Sequence, residues 1–276
     1  MREAVAGQDP GDRSRLEAVQ STPSSHPQAA VRPTAGVVVF PGTNCEMDVC
    51  WALQLAGAEP ELVFHDHEPD KDFDLYVVPG GFAHGDYLRP GALARFSPVT
   101  RVLRRAATAG KPVVGICNGF QVLCEAGMLP GALQKNKGLT FLCRPVDLMV
   151  EATDTPLTML LEPGQILRGI PINHFEGNFT LDPADLAELE RSRQVVLRYC
   201  GPNGEGDERF NPNGSQGRIA AVCSKNRNVV GLMPHPERAA EKILGSEDGL
   251  LLLRSVVEFA RRHSSVTAES TAIESI

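Results

Sequence analysis

Residues 112–127 read PVVGICNGFQVLCEAG. The run PVVGI at 112–116 is apolar and β-branched without polar alternation, as expected of a strand buried on both faces. Cys117 follows at once. The stretch from Asn118 to Ala126 has helical character and meets a helix stop at Gly127. Cys117 therefore sits where a buried strand turns sharply into a helix, between Gly115 and Gly119. The G-x-S-x-G nucleophile elbow has the same layout, with glycines permitting the tight turn. Such an elbow lifts the sulfur above the carboxyl end of a sheet and sets it at a helix N-terminus, where partial positive charge favours a thiolate. The N–H of Asn118 then points where an oxyanion would form. The competing reading is a small buried cysteine packed between glycines. The strand–elbow–helix context favours the nucleophile. Cys124, two helical turns on, and the other five cysteines read as core.

Outward from this stretch, strand and helix signals alternate. GVVVF (36–40) ends at Pro41-Gly42, and Asn44 can cap a helix in which Met47, Trp51 and Leu55 recur at helical spacing until Gly57. ELVF (61–64) and DLYVVPGG (74–81) read as strands, and a helix is expected over about 97–109, before Gly110. The alternation implies a parallel sheet covered on both faces. From about 139 to 232 short strand-like runs with turns, KNRN (225–228) among them, suggest a more antiparallel section, followed by a final helix over about 246–262. The expected fold is thus α/β: a mostly parallel twisted sheet with helices on both faces and a smaller antiparallel section. Residues 1–34, rich in Ser, Pro and Gln, read as a disordered extension, 35–263 as one domain, and 264–276 as a flexible tail.

Composition narrows the function. With 276 residues, 42% of them hydrophobic, the chain can build a core without staples. A net charge of -7 without a basic stripe argues against nucleic-acid binding. Seven cysteines with no C-x-x-C pair argue against a disulfide framework or a zinc ribbon. No apolar run approaches the roughly 20 residues of a membrane helix. No secretory signal core is present either. A cytoplasmic setting without a membrane partner is expected.

A thiolate nucleophile calls for a histidine to move protons and a third group to orient it. Two H-x-E tripeptides are available. His235-Pro236-Glu237 follows the apolar run NVVGLM, so it lies just past a strand end, and Pro234 and Pro236 stiffen the turn. Glu237 would hold the imidazole in one tautomer. His174-Phe175-Glu176 lies in a Gly/Asn-rich stretch and reads more simply as a hydrogen-bonded loop histidine. His65 and His67, in a polar run with Asp66 and Glu68, read as solvated. H-x-E is half of a zinc-deaminase signature, but the required P-C-x-x-C is missing. A metal site built from both tripeptides would leave the elbow cysteine unexplained. No metal and no cofactor are expected in this chain. The elbow by itself also admits a thiol-hydrolase or redox-sensing module of the same fold.

The motifs FPGTNCEMD (40–48), VPGGFAHGDYLRPGALARF (78–96), GKPVVGICNGFQVLCEAGMLPGAL (110–133), CRPVDL (143–148), HFEGNF (174–179), NPNGS (211–215) and GLMPHPERA (231–239) span most of residues 36–262. They resemble the glutaminase subunits of phosphoribosylformylglycinamidine synthases, within the class I glutamine amidotransferases. The resemblance implies Cys117 as nucleophile and His235 and Glu237 as its partners. It implies an oxyanion donor from the Gly80-Gly81-Phe82 segment, at Gly81 or Phe82, beside Asn118. It further implies glutamine as substrate, and ammonia passed to a separate ATP- and Mg-using synthetase subunit, with a small third subunit. That synthetase would convert formylglycinamide ribonucleotide to its formylglycinamidine in purine biosynthesis. No G-x-x-x-x-G-K-[ST] phosphate loop occurs here. The family's loop usually reads H-G-E-G, and Phe175 stands in place of its first glycine.

Overall fold

The computed structural model describes the backbone of residues 32–274 and side chains through residue 265. The expectation of a disordered 1–34 extension therefore falls almost wholly outside the described residues. The described residues from Arg32 onward form one compact unit.

The chain opens with β1 (Thr34–Val39), α1 (Glu46–Ala56), β2 (Glu59–Phe64) and β3 (Leu75–Val78). It continues through α2 (Pro98–Thr108), β4 (Val113–Ile116) and α3 (Asn118–Glu125). Then come β5 (Ala132–Gln134), β6 (Leu142–Val150), β7 (Ile166–His174), β8 (Asn178–Thr180), α4 (Pro183–Arg191) and β9 (Val195–Cys200). β10 (Ile219–Cys223), β11 (Val229–Leu232) and α5 (Asp248–Glu274) complete it. Among the described residues nine strands form one sheet in the order β2-β1-β3-β4-β11-β10-β9-β6-β7, while β5 and β8 pair separately. From β2 to β11 every neighbouring pair is parallel; from β11 to β7 every pair is antiparallel. Every residue of β3, β4 and β11 is buried, so both faces of the central strands are covered. The fold is the α/β arrangement expected. No helix of the described residues is long and apolar enough to cross a membrane.

Three local expectations differ from the structure. β11 lies inside the segment expected to be antiparallel, yet it pairs antiparallel with β10 on one edge and parallel with β4 on the other. It thereby joins the parallel half beside the Cys117 strand. In α1 the stripe Met47, Trp51 and Leu55 faces outward, with exposures of 65%, 53% and 37%. The helix instead buries Val49, Ala52 and Leu53. Cys45, not Asn44, occupies its N-cap position, without a side-chain capping hydrogen bond, and the N–H groups of both residues reach the Gly80 carbonyl at 3.3 Å. Finally, the last helix runs beyond 262 to Glu274, so the segment read as a tail is helical through that residue.

Glycines let α3 sit directly on the strands beneath it. A Cβ on Gly119 would lie 1.9 Å from the Val78 carbonyl oxygen, and one on Gly115 would lie 2.6 Å from the Gly119 carbonyl oxygen. Both obstacles are backbone and cannot rotate away. Gly231 meets the Phe120 ring in the same manner. Gly119→Ala is therefore expected to cost about 1–3 kcal/mol or more in urea unfolding. Gly138→Ala, whose new methyl would find only the Thr140 hydroxyl at 3.5 Å, should change stability by well under 1 kcal/mol. Equal effects of the two substitutions would remove the close seating of α3 as a determinant of the fold.

Candidate active site

Cys117 stands at the junction of β4 and α3 with φ 52° and ψ -106°. This is a backbone conformation non-glycine residues avoid, at a cost of order 1–3 kcal/mol. Its N–H donates to the Leu232 carbonyl of β11 at 2.7 Å. The parallel pairing of β4 and β11 thus continues into the elbow itself. The side chain is buried, with Sγ 3.6 Å from the Asn173 carbonyl at the end of β7.

β11 ends beside this elbow, and the next turn carries His235. Its N–H donates to the Pro171 carbonyl at 2.8 Å, which ties the turn to β7. Its Nδ1 lies 2.6 Å from Glu237 Oε1, and both side chains are almost fully buried. Burial would lower the imidazole pKa, but the Glu237 carboxylate and Cys117 hold it well above the ordinary histidine value. Nε2 has no hydrogen-bond partner of good geometry among the described residues, as is common before substrate tightens a site. The imidazole and Cys117 are neighbours: a Cβ on Gly80 would meet His235 Cε1 at 2.7 Å and Cys117 Cβ at 3.5 Å.

The same point lies 3.1 Å from Cys45 Sγ. Sequence reasoning placed Cys45 in the core, and it is buried, but against the His235 ring. Arg238 Nη2 donates to its sulfur at 3.2 Å. The signal for it lies in the strand order. β1, β3, β4 and β11 are neighbours, so the motifs that follow them (PGTNC, PGGF, CNG and PHPE) meet at one sheet edge. Cys45, His235 and Glu237 offer ligand atoms within 4.8 Å of one another, and a thiolate, imidazole and carboxylate set is one zinc accepts. The short His235–Glu237 hydrogen bond commits Nδ1 and one carboxylate oxygen to each other. His174 and Glu176 are not in that group, so the metal arrangement weighed from the two H-x-E tripeptides does not form.

Asn118 is buried and ties the 83–86 turn to its own helix. Its Oδ1 accepts from the Ala83 N–H at 2.9 Å, and its Nδ2 donates to Gln121 Oε1 at 2.8 Å and Asp86 Oδ1 at 3.3 Å. As the first residue of α3, it presents one of the N–H groups a helix start leaves without an intrahelical partner. Gly81, at φ 151°, packs against the 42–44 backbone. The Phe82 N–H is spent on the Gly42 carbonyl at 2.8 Å, which leaves Gly81 N–H as the second donor to consider. The Phe82 side chain instead borders the cavity. This cavity, about 340 Å³, is lined by Cys117, Gly81, Phe82, Asp86, His174 and Glu176, among others.

His174 ends β7, buried. Asn136 Nδ2 donates to the Thr140 and His174 carbonyls, so Asn136 Oδ1 faces His174 Nδ1, 3.1 Å away, and the imidazole must donate from Nδ1. Burial and the nearby His235 push His174 down to about 4. His65, expected to be solvated, instead bonds Ser97 at 3.1 Å and packs edge-on against His84 at 5.1 Å. Cys124 is held as a thiol by burial, its pKa raised.

Residues 32–247 match the CobB/CobQ-like glutamine amidotransferase domain family. The chain is 54% identical over 226 residues to the phosphoribosylformylglycinamidine synthase subunit PurQ of Rubrobacter xylanophilus, covering 82% of this chain and 98% of that one. It is 49% identical over 223 residues to the PurQ of Koribacter versatilis, covering 80% and 96%. In the solved structure of PurLQS from Thermotoga maritima, one chain superposes with a TM-score of 0.73 at 43% identity, covering 83% of this chain and 99% of that one.

The neutral, buried His174 generates a pH prediction. Between a folded pKa near 4 and an unfolded one near 6.5, only the unfolded chain binds the proton, so acid favours unfolding. From pH 7 to pH 5 the wild type should lose about 2 kcal/mol more than His174→Leu in urea titrations. Parallel stability curves for the two proteins would contradict this.

Proposed function

The chain belongs to the CobB/CobQ-like glutamine amidotransferase family, among the PurQ subunits of phosphoribosylformylglycinamidine synthase, and we propose on that footing that Cys117, His235 and Glu237 carry out its glutaminase reaction. The observation that supports this most is the buried His235–Glu237 pair at 2.6 Å, set beside a cysteine at a strained elbow on the wall of a cavity of about 340 Å³.

Cys117 Sγ attacks the side-chain amide carbon of glutamine. The oxyanion is held by the N–H groups of Asn118 and Gly81; a donor of this kind is worth roughly 3 kcal/mol. His235 protonates the leaving nitrogen, ammonia departs, and a glutamyl thioester remains on Cys117. His235 then takes a proton from water, which attacks the thioester and releases glutamate and the free thiol. Glu237 keeps the proton-bearing Nδ1 fixed, so that Nε2 does the exchanging.

Ammonia made here passes to an ATP- and magnesium-using synthetase subunit that aminates formylglycinamide ribonucleotide in cytoplasmic purine biosynthesis, with a small third subunit in the assembly. This chain's steps need neither metal nor cofactor. Phe82 and Leu88, which line the cavity, and the neighbouring Tyr87 have exposures of 48%, 75% and 68% and suit a surface covered by a partner.

Ammonia release from glutamine by the purified chain should be slow and should rise when the synthetase is added. Cys117→Ala should lower it by roughly 10⁴-fold or more, while the assembled complex still makes product from free ammonia. Glutamine-dependent turnover that survives in Cys117→Ala would remove Cys117 as nucleophile. Full turnover by the isolated chain would remove the coupling to a partner.

A further inference from the structure

The glutaminase steps leave Cys45 without a part, yet its sulfur lies beside the groups that perform them. Cys45 Sγ is within 4.8 Å of a His235 ring nitrogen and of a Glu237 carboxylate oxygen. The residue is 2% exposed and is held at every polar atom. Its N–H donates to the Gly80 carbonyl at 3.3 Å, and its carbonyl accepts from the Val49 N–H at 3.0 Å in the first turn of α1. Its thiol donates to Asn44 Oδ1 at 3.2 Å, and the sulfur accepts from Arg238 Nη2 at 3.2 Å. A cysteine that only filled core space would need none of these partners, since a buried thiol behaves as a small apolar group. A guanidinium this close to the sulfur also repels a divalent cation.

His235 needs more than one point of support. Its hydrogen bond to Glu237 fixes Nδ1, but a planar ring held at one atom can still swing about that atom, and Nε2 is the end that swings. Nε2 has no hydrogen-bond partner of good geometry among the described residues. A Cβ on Gly80 would stand 2.7 Å from His235 Cε1 and 3.1 Å from Cys45 Sγ. The Gly80 backbone, the imidazole and the sulfur therefore converge with no room for a methyl group. Burial opposes charge on this ring, whereas Glu237, Cys117 and Cys45 favour it. His174, which also faces it, is pushed down to about 4 by burial and by His235.

We propose that Cys45 is a positioning residue of the glutaminase reaction: its sulfur, anchored by Arg238 and Asn44, steadies the His235 ring so that Nε2 stays aimed at Cys117, while its N–H keeps the Gly80–Gly81 backbone in register with that ring. This rests on the glutaminase reading above and adds to it a residue that does not line the cavity. Lost aim costs rate more than affinity, because the imidazole acts in the transition state and not in holding the amide.

The test uses the full chain assembled with its synthetase and reads ammonia release from glutamine. Cys45→Ala removes the sulfur and should lower kcat by about 10- to 100-fold, with KM for glutamine nearly unchanged. Cys45→Ser keeps a hydroxyl able to bond Asn44 and Arg238 and should recover most of that loss. The basic limb of kcat/KM against pH reports the imidazolium that protonates the leaving nitrogen. Removing a group that favours the imidazolium moves that limb to lower pH in Cys45→Ala, and Cys45→Ser should move it back. Cys45→Val keeps the bulk without the hydrogen bonds, should follow the alanine variant in both readouts, and replaces it if the alanine variant does not fold. Product formation from free ammonia should be the same in every variant. The inference is overturned if Cys45→Ala keeps the wild-type kcat and pH limb, or if Cys45→Val restores both. A rate loss with the limb unmoved marks a structural defect and overturns it as well. A wild-type complex that releases no ammonia from glutamine would instead overturn the glutaminase reading itself.

Discussion

The structure depends on the seating of α3 on the carboxyl ends of β3, β4 and β11. The hydrogen bond from Cys117 N–H to the Leu232 carbonyl, at 2.7 Å, extends the β4–β11 ladder one residue past the strand. The chain must then reverse within a single residue, which accounts for the unusual backbone of Cys117. Glycine at 119 allows α3 to press against the Val78 carbonyl without an intervening side chain. The strain of about 1–3 kcal/mol is offset by packing that buries Phe120, Val122 and Leu123 completely. Strain at the nucleophile and tight packing below it are two aspects of one constraint.

That constraint fixes the electrostatics. Four loops follow four adjacent parallel strands, and they deliver Cys45, Gly80 and Gly81, Cys117, and the His235–Glu237 turn to one edge. A buried histidine would ordinarily be neutral, and His174 is. His235 differs because the buried Glu237 carboxylate lies 2.6 Å from its ring. Arg238 reaches from the same turn to Asp48 and Cys45, tying α1 to the His235 segment.

Much of this could be read from residues alone, because the informative features are local. A buried strand that stops at Gly-Ile-Cys-Asn-Gly leaves little choice but an elbow, and a proline-stiffened H-P-E past a strand end is a rigid turn. What could not be read is set by pairing across long sequence separations. The parallel edge of β11 against β4 joins residues more than a hundred positions apart, and it alone brings the 235–237 turn beside position 117. Cys45 looks like any small buried residue until β1 is known to lie two strands from β4. In α1, helical spacing identified a stripe but not its direction. Val49, Ala52 and Leu53 form the face that packs inward, while Trp51 remains outside, bonded to Glu241 at 2.6 Å. The Phe82 N–H is lost as an oxyanion donor to the Gly42 carbonyl, a contact between two loops no local pattern encodes.

The most direct measurement of the central claim is the intact mass of the full chain in its complex, acid-quenched during glutamine turnover and followed by peptide mapping. Attack by Cys117 with loss of ammonia predicts an adduct of about 129 Da, a glutamyl acyl group, on the peptide that contains Cys117 and on no other. Ammonia release accompanied by an adduct on Cys45 or another cysteine would contradict the account, because the elbow would then not be the seat of the chemistry.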